Sequence, residues 1–329
     1  MQIPYRLPEE YIPVDVSKMR PNDAYKNLIK KRTWAIDGLI EKFGKIPEDL
    51  LSPRNCPNCD SNDNKLEIEK DYLRIVKCKQ CDLVFVNPIF SEEHYRKTYE
   101  SEDYKEIFKG MHEDSHNYRK ERFGKERVAI MKKWFPYKDK LSFLDIGCAT
   151  GFIVEAARDA GMDAWGVDFS PKVIEFGKKR GLNLFVGGLE VVPPDKKFDI
   201  IALFDVLEHI VDPKKIILDC KKRLNQGGII FLYLPNYASA IINLLGKDAH
   251  IIWPTEHLTY WTPLTIIDFF DRIGMKVEWQ QTEGLDLVDY IWRKKSEGKD
   301  MSALEEIQDK LQFFINAGMY GVNLRVIAR

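Results

Sequence analysis

The chain has 329 residues, enough for one large domain with a smaller one beside it. Its 50 basic and 51 acidic residues leave a net charge of −1, so the overall charge does not indicate a nucleic-acid partner. The apolar stretches are short and interrupted by acidic residues, and the amino terminus has no basic start followed by an apolar core. We therefore predict a cytoplasmic protein without a membrane span.

The first 52 residues predict an N-terminal helical segment. Apolar residues recur at helical spacing over 22–43, and Gly44 follows at a position where helices often end. Residues 91–136 are charged and aromatic with the same periodicity, which predicts a helical linker that also forms a lid. Tyr99 and Tyr104 of this linker are candidates to cover a ligand, although helix packing explains them equally well.

Four of the six cysteines form two close pairs between these segments. Cys56 and Cys59 enclose two residues, Cys78 and Cys81 enclose two more, and residues 60–77 lie between the pairs. This spacing matches zinc sites in which four thiolates form a closed tetrahedral shell. A closed shell cannot activate water, so the predicted zinc is structural and residues 53–90 are predicted to be a zinc ribbon. A redox-active cysteine pair is the alternative.

From residue 141 onward, apolar runs typical of strands alternate with amphipathic helical stretches. This alternation predicts crossover units and a mostly parallel sheet with helices on both faces. The predicted strands are 141–146, 164–167, 184–186, 199–204, 228–234, 276–281 and 322–328. The predicted helices lie near 152–161, 171–180, 212–224, 263–273 and 303–315. The fold class is thus α/β, with a Rossmann-like seven-stranded sheet over 137–329.

A glycine-containing turn follows the first strand of this sheet. Gly147 allows a tight turn off the strand, and Gly151 allows the next helix to begin close to a ligand. Asp145 lies next to the last residue of the strand, and a carboxylate there repels a pyrophosphate but suits a cationic amino group and a sulfonium. Asp168 ends the second strand, where a carboxylate is placed to accept both hydroxyls of a ribose.

These two strand ends resemble motifs I and II of the class I S-adenosylmethionine-dependent methyltransferases. The resemblance implies that Asp145, Gly147 and Gly151 surround the methionine part of S-adenosylmethionine. It also implies that Asp168 binds the ribose. A glycine turn in another α/β enzyme, such as one that binds NAD, is the alternative.

The adenine side of the predicted cofactor site departs from the family pattern. Gly188 stands where many members have the acidic residue that holds the adenine amino group. We therefore expect the backbone amide of Leu189 to bind adenine instead. Phe204, which ends the fourth strand in register with the others, completes the predicted cofactor-binding residues.

Two of the six histidines lie beyond the carboxyl ends of strands, where such sheets place their active sites. The first, His209, follows the fourth strand in a turn that resembles the family's L-E-H turn. One interpretation is that this turn only caps and packs the loop. The other is a divalent-metal site of Asp205, Glu208 and His209, similar to the set of ubiquinone-pathway O-methyltransferases, since magnesium prefers oxygen ligands.

The second histidine, His257, lies in an aromatic loop after the fifth strand. Residues 256–260 are similar to the E-H-x-x-Y segment of zinc-ribbon sugar C-methyltransferases, in which the histidine is the base. The resemblance implies that His257 takes a proton from the acceptor, Glu256 binds or polarises the acceptor and Tyr260 lines the pocket. Capping of the helix after Pro263 is the alternative role of His257.

The remaining histidines carry weaker signals. His94, His112 and His116 lie in polar surroundings and are predicted to be solvated surface residues.

The sequence thus predicts an S-adenosylmethionine-dependent methyltransferase acting on a small molecule. The favoured acceptor is a hydroxyl, or a carbon atom, of a sugar or glycan precursor. An RNA methyltransferase that uses the ribbon to bind RNA is one alternative, although the chain lacks a basic, aromatic stripe. A non-catalytic regulator that binds the cofactor is the other.

Overall fold

The computed structural model describes residues 8–20, 33–101 and 113–329. Within these ranges the α-helices are α1 (Val16–Met19), α2 (Trp34–Phe43), α3 (Glu92–Glu100), α4 (His116–Arg119), α5 (Lys125–Lys133), α6 (Phe152–Asp159), α7 (Pro171–Lys179), α8 (Pro213–Lys222), α9 (Ala240–Leu245), α10 (Pro263–Arg272), α11 (Asp286–Ser296), α12 (Ser302–Glu305) and α13 (Gln308–Ala317). A π-helical turn, Lys120–Gly124, joins α4 to α5. Short 3₁₀ turns span Pro8–Glu10, Glu48–Leu50, Leu189–Val191, Leu207–His209 and Gly246–Asp248.

The strands of the described residues form a two-stranded, a four-stranded and a seven-stranded sheet. They are β1 (Leu51–Ser52), β2 (Asn64–Lys70), β3 (Leu73–Cys78), β4 (Val84–Val86), β5 (Ile89–Phe90), β6 (Ser142–Ile146), β7 (Asp163–Asp168), β8 (Leu184–Val186), β9 (Phe198–Phe204), β10 (Leu224–Pro235), β11 (Thr259–Tyr260), β12 (Val277–Glu283) and β13 (Asn323–Ala328).

The seven-stranded sheet has the order β12-β13-β10-β9-β6-β7-β8. Strands β10, β9, β6, β7 and β8 pair in parallel, whereas β13 lies antiparallel between β10 and β12. Parallel strands covered by helices on both faces need apolar residues throughout, and every residue of β9 is buried. The predicted α/β class and the seven strands are confirmed.

Two apolar cores lie on the two faces of this sheet. In β6, Phe143 packs into the core that includes Val128 of α5 and Ile153 of α6. The next residue, Leu144, packs into the core that includes Ile217 of α8 and Phe269 of α10. Successive side chains of a strand point to opposite faces, so one strand serves both cores.

The cysteine-rich segment forms the four-stranded sheet, in the order β11-β4-β3-β2. Strand β4 follows the second cysteine pair. The fourth member, β11, comes from the segment that carries the predicted catalytic residues and pairs antiparallel with β4. The side-chain amide of Asn58 also donates to the Asp268 carboxylate of α10 at 2.8 Å. The ribbon is therefore joined to the larger sheet region by backbone and side-chain hydrogen bonds.

Helix α11 was not among the predicted helices. Its Asp286 and Asp289 are buried at positions where the periodicity of the sequence expects apolar residues. The predicted helix near 303–315 is divided into α12 and α13. Of the predicted helix 22–43, the described part is α2, and residues 22–32 lie outside the described residues.

Across the described ranges, no helix has both the length and the apolar character that crossing a membrane requires.

We predict that Gly147→Ala lowers the free energy of unfolding more than Gly161→Ala does. Both glycines have positive φ, 73° and 86°, so either alanine pays about 1–2 kcal/mol for left-handed backbone. A Cβ at Gly147 would lie 2.4 Å from Cγ2 of Val206, whereas a Cβ at Gly161 would have no atom within 4 Å. The clash at Gly147 adds about 1–3 kcal/mol to the loss of stability. Urea unfolding of both variants measures the difference, and equal losses would contradict the prediction.

Candidate functional site

A cavity of about 800 Å³ lies beyond the carboxyl ends of strands β6, β7, β8 and β9. Its wall includes five of the six predicted cofactor-binding residues: Asp145, Gly147, Asp168, Leu189 and Phe204. The sixth, Gly151, is not part of the wall. A Cβ on Gly151 would lie 2.9 Å from Cδ1 of Leu182, so its missing side chain permits helix α6 to pack on its neighbours.

Backbone hydrogen bonds fasten the turn after β6 to β7. The N–H groups of Gly147 and Cys148 donate to the carbonyl of Val167 at 2.8 and 3.0 Å. The turn then reaches Asp168, whose carboxylate accepts from the N–H of Ala149 at 3.0 Å and of Ser170 at 2.9 Å. These bonds fix the orientation of the Asp168 carboxylate. Burial nevertheless raises its pKa above the ordinary value.

Asp145 is a buried carboxyl group of this wall whose pKa is strongly raised. It is 2% exposed, and its Oδ1 has no hydrogen-bond partner among the described residues. Burial raises its pKa to about 8; Arg127 opposes this shift and Asp168 adds to it. A cation that enters the cavity would stabilise the charged form of this buried carboxyl group.

The two predicted histidines approach each other at one end of the site. His209, in the turn after β9, lines the cavity, and its ring centroid lies 5.0 Å from that of His257 at an interplanar angle of 82°. The Nδ1 of His257 lies 2.8 Å from the carbonyl oxygen of Ile251. Because a carbonyl only accepts, Nδ1 must carry the proton, which leaves Nε2 as the basic nitrogen of the neutral ring.

The other predicted catalytic residues surround this pair. Glu256 is 3% exposed, and its Oε2 lies 3.9 Å from Nδ1 of His209. Tyr260 is 1% exposed, with its ring centroid 6.4 Å from that of His257. The wall of the cavity includes His209 but not Glu256, His257 or Tyr260. Burial lowers the pKa of His209 to about 4, so this ring is neutral at physiological pH.

The structure groups a different set of possible metal ligands from the predicted set of Asp205, Glu208 and His209. Glu208, His209 and His257 place ligand atoms within 4.8 Å of one another, and Asp205 is not part of this group. Both oxygens of the buried Glu208 carboxylate lack hydrogen-bond partners among the described residues. The structure therefore brings together one carboxylate and two imidazoles that could hold a metal ion.

A family profile described as a methyltransferase domain matches residues 116–280 of this chain, half of its length. The chain belongs to the methyltransferase domain family. The matched region contains the turn after β6, the Asp168 strand end and both histidine loops, and it begins after the ribbon. The predicted membership of the methyltransferases is confirmed.

Individual relatives point to the same family. The chain is 32% identical over 154 residues to a ubiquinone biosynthesis O-methyltransferase of Coxiella burnetii, covering 40% of this chain and 65% of the relative. It is 33% identical over 103 residues to the mitochondrial ubiquinone biosynthesis O-methyltransferase of Candida albicans, covering 28% of this chain and 32% of the relative. The chain thus spans about two thirds or less of these relatives.

Among solved structures, the chain is similar to magnesium protoporphyrin IX methyltransferase from Synechocystis PCC 6803 with bound SAH. The two share 12% identity with a TM-score of 0.48, and the match covers 72% of this chain and 99% of the other.

Arg127 of α5 is a residue of the methyltransferase cavity that the sequence analysis did not identify. Its guanidinium carbon lies 4.8 Å from the ring centroid of Phe204 and 4.4 Å from that of Tyr233. The side chain is 5% exposed and its Nε has no hydrogen-bond partner among the described residues. The only sequence signal was a basic residue in the helix before β6, which is too common to single out.

The four ribbon cysteines meet as predicted. The sulfur atoms of Cys56, Cys59, Cys78 and Cys81 lie within 4.8 Å of one another, and all four are free thiols. Four converging thiols are the donor set that a tetrahedral zinc ion prefers.

The prediction that His116 is a solvated surface residue is wrong. Its ring is 1% exposed, with Nδ1 2.8 Å from Oγ1 of Thr150 and Nε2 2.7 Å from Oε2 of Glu155. The polar sequence around it reflects these buried partners rather than solvent. His94 is half-buried and stacks on Phe90 at 4.1 Å. Tyr99 belongs to α3, whereas Tyr104 and His112 lie outside the described residues.

We predict that Asp145→Asn stabilises the ligand-free protein. Because the folded-state pKa of Asp145 is about 8 and the ordinary value is 3.8, the unfolded chain binds fewer protons between these values. The carboxyl group therefore lowers stability progressively as the pH rises through this window. We expect a gain of about 1–3 kcal/mol at pH 8 and a smaller gain at pH 5, measured by urea unfolding.

Asp199→Asn is the matched control. The Asp199 carboxylate is also buried but accepts from Lys138 at 2.6 Å, from the Ser142 N–H at 2.9 Å and from Asn225 at 2.8 Å. This variant should lose stability. A loss for Asp145→Asn at both pH values would contradict the assignment of Asp145 as an unsatisfied buried group.

Proposed function

We propose that the chain transfers a methyl group from S-adenosylmethionine to a hydroxyl group of a small molecule, which we infer to be a sugar or a glycan precursor. The observation that carries the proposal is the pair of carboxyl groups in the wall of one large cavity, the buried Asp145 and the half-buried Asp168, near the ends of neighbouring strands. Two carboxylates repel a pyrophosphate but suit a cationic nucleoside donor. A carbon acceptor is the alternative atom.

The charges of the cavity wall fit the two ends of such a donor. Asp145 matches the amino group and the sulfonium, and the guanidinium of Arg127 matches the carboxylate of the methionine part. Asp168, oriented by its two backbone donors, is suited to the ribose hydroxyls. The backbone of Leu189, which lines the same cavity, is assigned to bind the adenine. When bound, S-adenosylmethionine supplies a methyl group on a sulfonium, which needs no further activation.

On the acceptor side, we assign His257 as the base. The Nδ1 bond to the carbonyl of Ile251 presents Nε2 as the nitrogen that can take the proton of a hydroxyl. Glu256 is assigned to bind or polarise the acceptor and Tyr260 to line its pocket. His209, neutral and 5.0 Å away, forms the edge between these residues and the cavity.

The nature of the acceptor rests on two likenesses. Two relatives that match a part of the chain are named ubiquinone biosynthesis O-methyltransferases, which favours oxygen of a small molecule. The E-H-x-x-Y segment and the ribbon favour a sugar. The net charge of −1 disfavours the RNA alternative.

We further propose that the four ribbon thiols bind one zinc ion in a structural role. All four positions of a tetrahedral ion would be filled by sulfur, so no position would remain for water or substrate.

We predict that purified protein binds S-adenosylmethionine and its homocysteine product but not NAD, measured by calorimetry. Incubated with the donor and a panel of nucleotide sugars, glycans and phenols, it should release S-adenosylhomocysteine with a sugar-containing acceptor. His257→Asn should lower kcat about 10²- to 10⁴-fold, because it removes the base, while the donor Kd changes less than about twofold.

His94→Asn is the control for that experiment, since the His94 ring stacks on Phe90 and belongs to neither half of the site. Near-normal turnover of His257→Asn with intact donor binding would rule out His257 as the base. Methyl incorporation into RNA by nuclease-free preparations would instead support the RNA alternative. Donor binding without turnover of any acceptor would support a regulator.

We predict one zinc ion per chain by elemental analysis, and its loss in a Cys78→Ser, Cys81→Ser double variant. Removal of two thiolates opens the shell and should lower the melting temperature, because metal binding contributes to folding. Cys220→Ser is the control, since Cys220 is fully buried in the same apolar core but outside the thiol group. Full zinc content in the double variant would reject the site.

A further inference from the structure

One arginine connects the ribbon to both histidine loops. Arg54 lies two residues before the first ribbon cysteine, and its guanidinium donates to three backbone carbonyls. Nε donates to Val86 at 3.1 Å, Nη1 to Val211 at 3.1 Å and Nη2 to Leu258 at 2.7 Å. All three nitrogen positions of the side chain are therefore engaged.

These carbonyls belong to three different segments of the chain. Val86 ends β4 of the ribbon sheet. Val211 lies two residues after His209, and Leu258 follows His257 directly. The guanidinium thus fixes the distance between the two histidine loops at the point where both meet the ribbon.

Backbone bonds close the same junction around Arg54. The Leu258 N–H donates to the Glu208 carbonyl at 2.7 Å, and the Val86 N–H donates to the Leu258 carbonyl at 3.0 Å. The guanidinium also stacks over the ring of Phe85, 5.4 Å from its centroid. The backbone N–H of Arg54 donates to the side chain of Asn87 at 3.0 Å. These contacts hold the arginine itself in place.

Only arginine can make this set of contacts. A lysine ammonium is a single nitrogen and cannot span three carbonyls of separate segments, whereas the planar guanidinium carries five N–H donors in a rigid arrangement. Within residues 8–20, 33–101 and 113–329, the three hydrogen bonds of the Arg54 guanidinium go to backbone carbonyls and none goes to a carboxylate. An apolar side chain could stabilise this junction without the cost of burying a charge. We therefore interpret a partly buried cation that binds backbone carbonyls as a group that fixes the positions of the loops.

We propose that Arg54 is a positioning residue that holds the loops of His209 and His257 at their working separation, and that it makes the ribbon part of the active-site scaffold. The proposal rests on the proposed function of this site. The four-thiol cluster begins at Cys56, so a bound zinc would anchor the same short segment that carries Arg54. Loss of the guanidinium or of the zinc should therefore disturb the same two histidines.

The first test observes the histidine rings directly and needs no acceptor. In full-length protein labelled with ¹⁵N-histidine, Arg54→Lys should shift or broaden the ring signals of His209 and His257. The signals of His116 should stay in place, because that ring is held by Thr150 and Glu155 in another part of the molecule. Removal of zinc by a chelator should affect the same two rings.

Arg158→Lys is the matched control variant. Arg158 also donates to a backbone carbonyl, that of Arg180 at 3.0 Å, but it contacts neither histidine loop. It should leave the signals of His209 and His257 unchanged. In Arg54→Ala, millimolar methylguanidinium should restore the wild-type ring signals, whereas an equal concentration of methylammonium should not.

The second test measures catalysis and donor binding separately. Arg54→Lys should bind S-adenosylhomocysteine within about twofold of the wild-type Kd. With the acceptor found above, its kcat should fall about 10- to 100-fold, as expected for a small displacement of a catalytic group.

Unmoved signals of His209 and His257 in Arg54→Lys would overturn the proposal. An equal disturbance of His116 would also overturn it, because it would indicate general loss of structure. If the wild-type protein did not bind S-adenosylmethionine, the proposed function would be wrong. The histidine ring signals would still show whether Arg54 positions the two loops.

Discussion

The structure depends on two acidic side chains that neighbouring parallel strands bring to one cavity wall, where Asp145 is buried and Asp168 is half-buried. Strands β6 and β7 are neighbours; Asp145 is the next-to-last residue of β6 and Asp168 the last of β7, and both line one cavity. Desolvation disfavours both charges, and their proximity adds to this cost. Only Asp168 is compensated by backbone donors. Asp145 is offset only in part by Arg127, so its charged form would gain from a cationic ligand. The guanidinium of Arg127 lies over the rings of Phe204 and Tyr233 and adds a positive charge to the same cavity wall.

Features of the site that depend on residue spacing along the chain could be predicted from the sequence. Asp145 and Asp168 lie near the carboxyl ends of recognisable strands, and parallel strands in one sheet end at the same edge, so their meeting could be predicted. The spacing of the cysteine pairs likewise encodes the thiol cluster. The seven strands followed from runs of apolar residues, because a sheet buried on both faces tolerates little else.

Other features arise only when distant segments meet. Arg127 gains its role from the rings of Phe204 and Tyr233, which lie in two other strands. His257 takes the place expected for Asp205 beside Glu208 and His209, because β11 folds back onto the ribbon sheet. His116 looked like a surface residue because its buried partners, Thr150 and Glu155, are polar too. In each case the role of the residue depends on a tertiary contact that the local sequence does not indicate.

The position of β13 has a consequence for how the polypeptide acquires its shape. Residues 323–328 form a strand inside the sheet, between β10 and β12. Ribosomes produce the chain from its amino end, so β10 emerges long before the strand that covers its outer edge. Until then, the apolar run Ile229–Leu232 presents unpaired backbone groups and is a template for intermolecular association. The nascent protein therefore exposes this edge of β10 until residues 323–328 have been synthesised, and chaperone protection is most valuable in that interval.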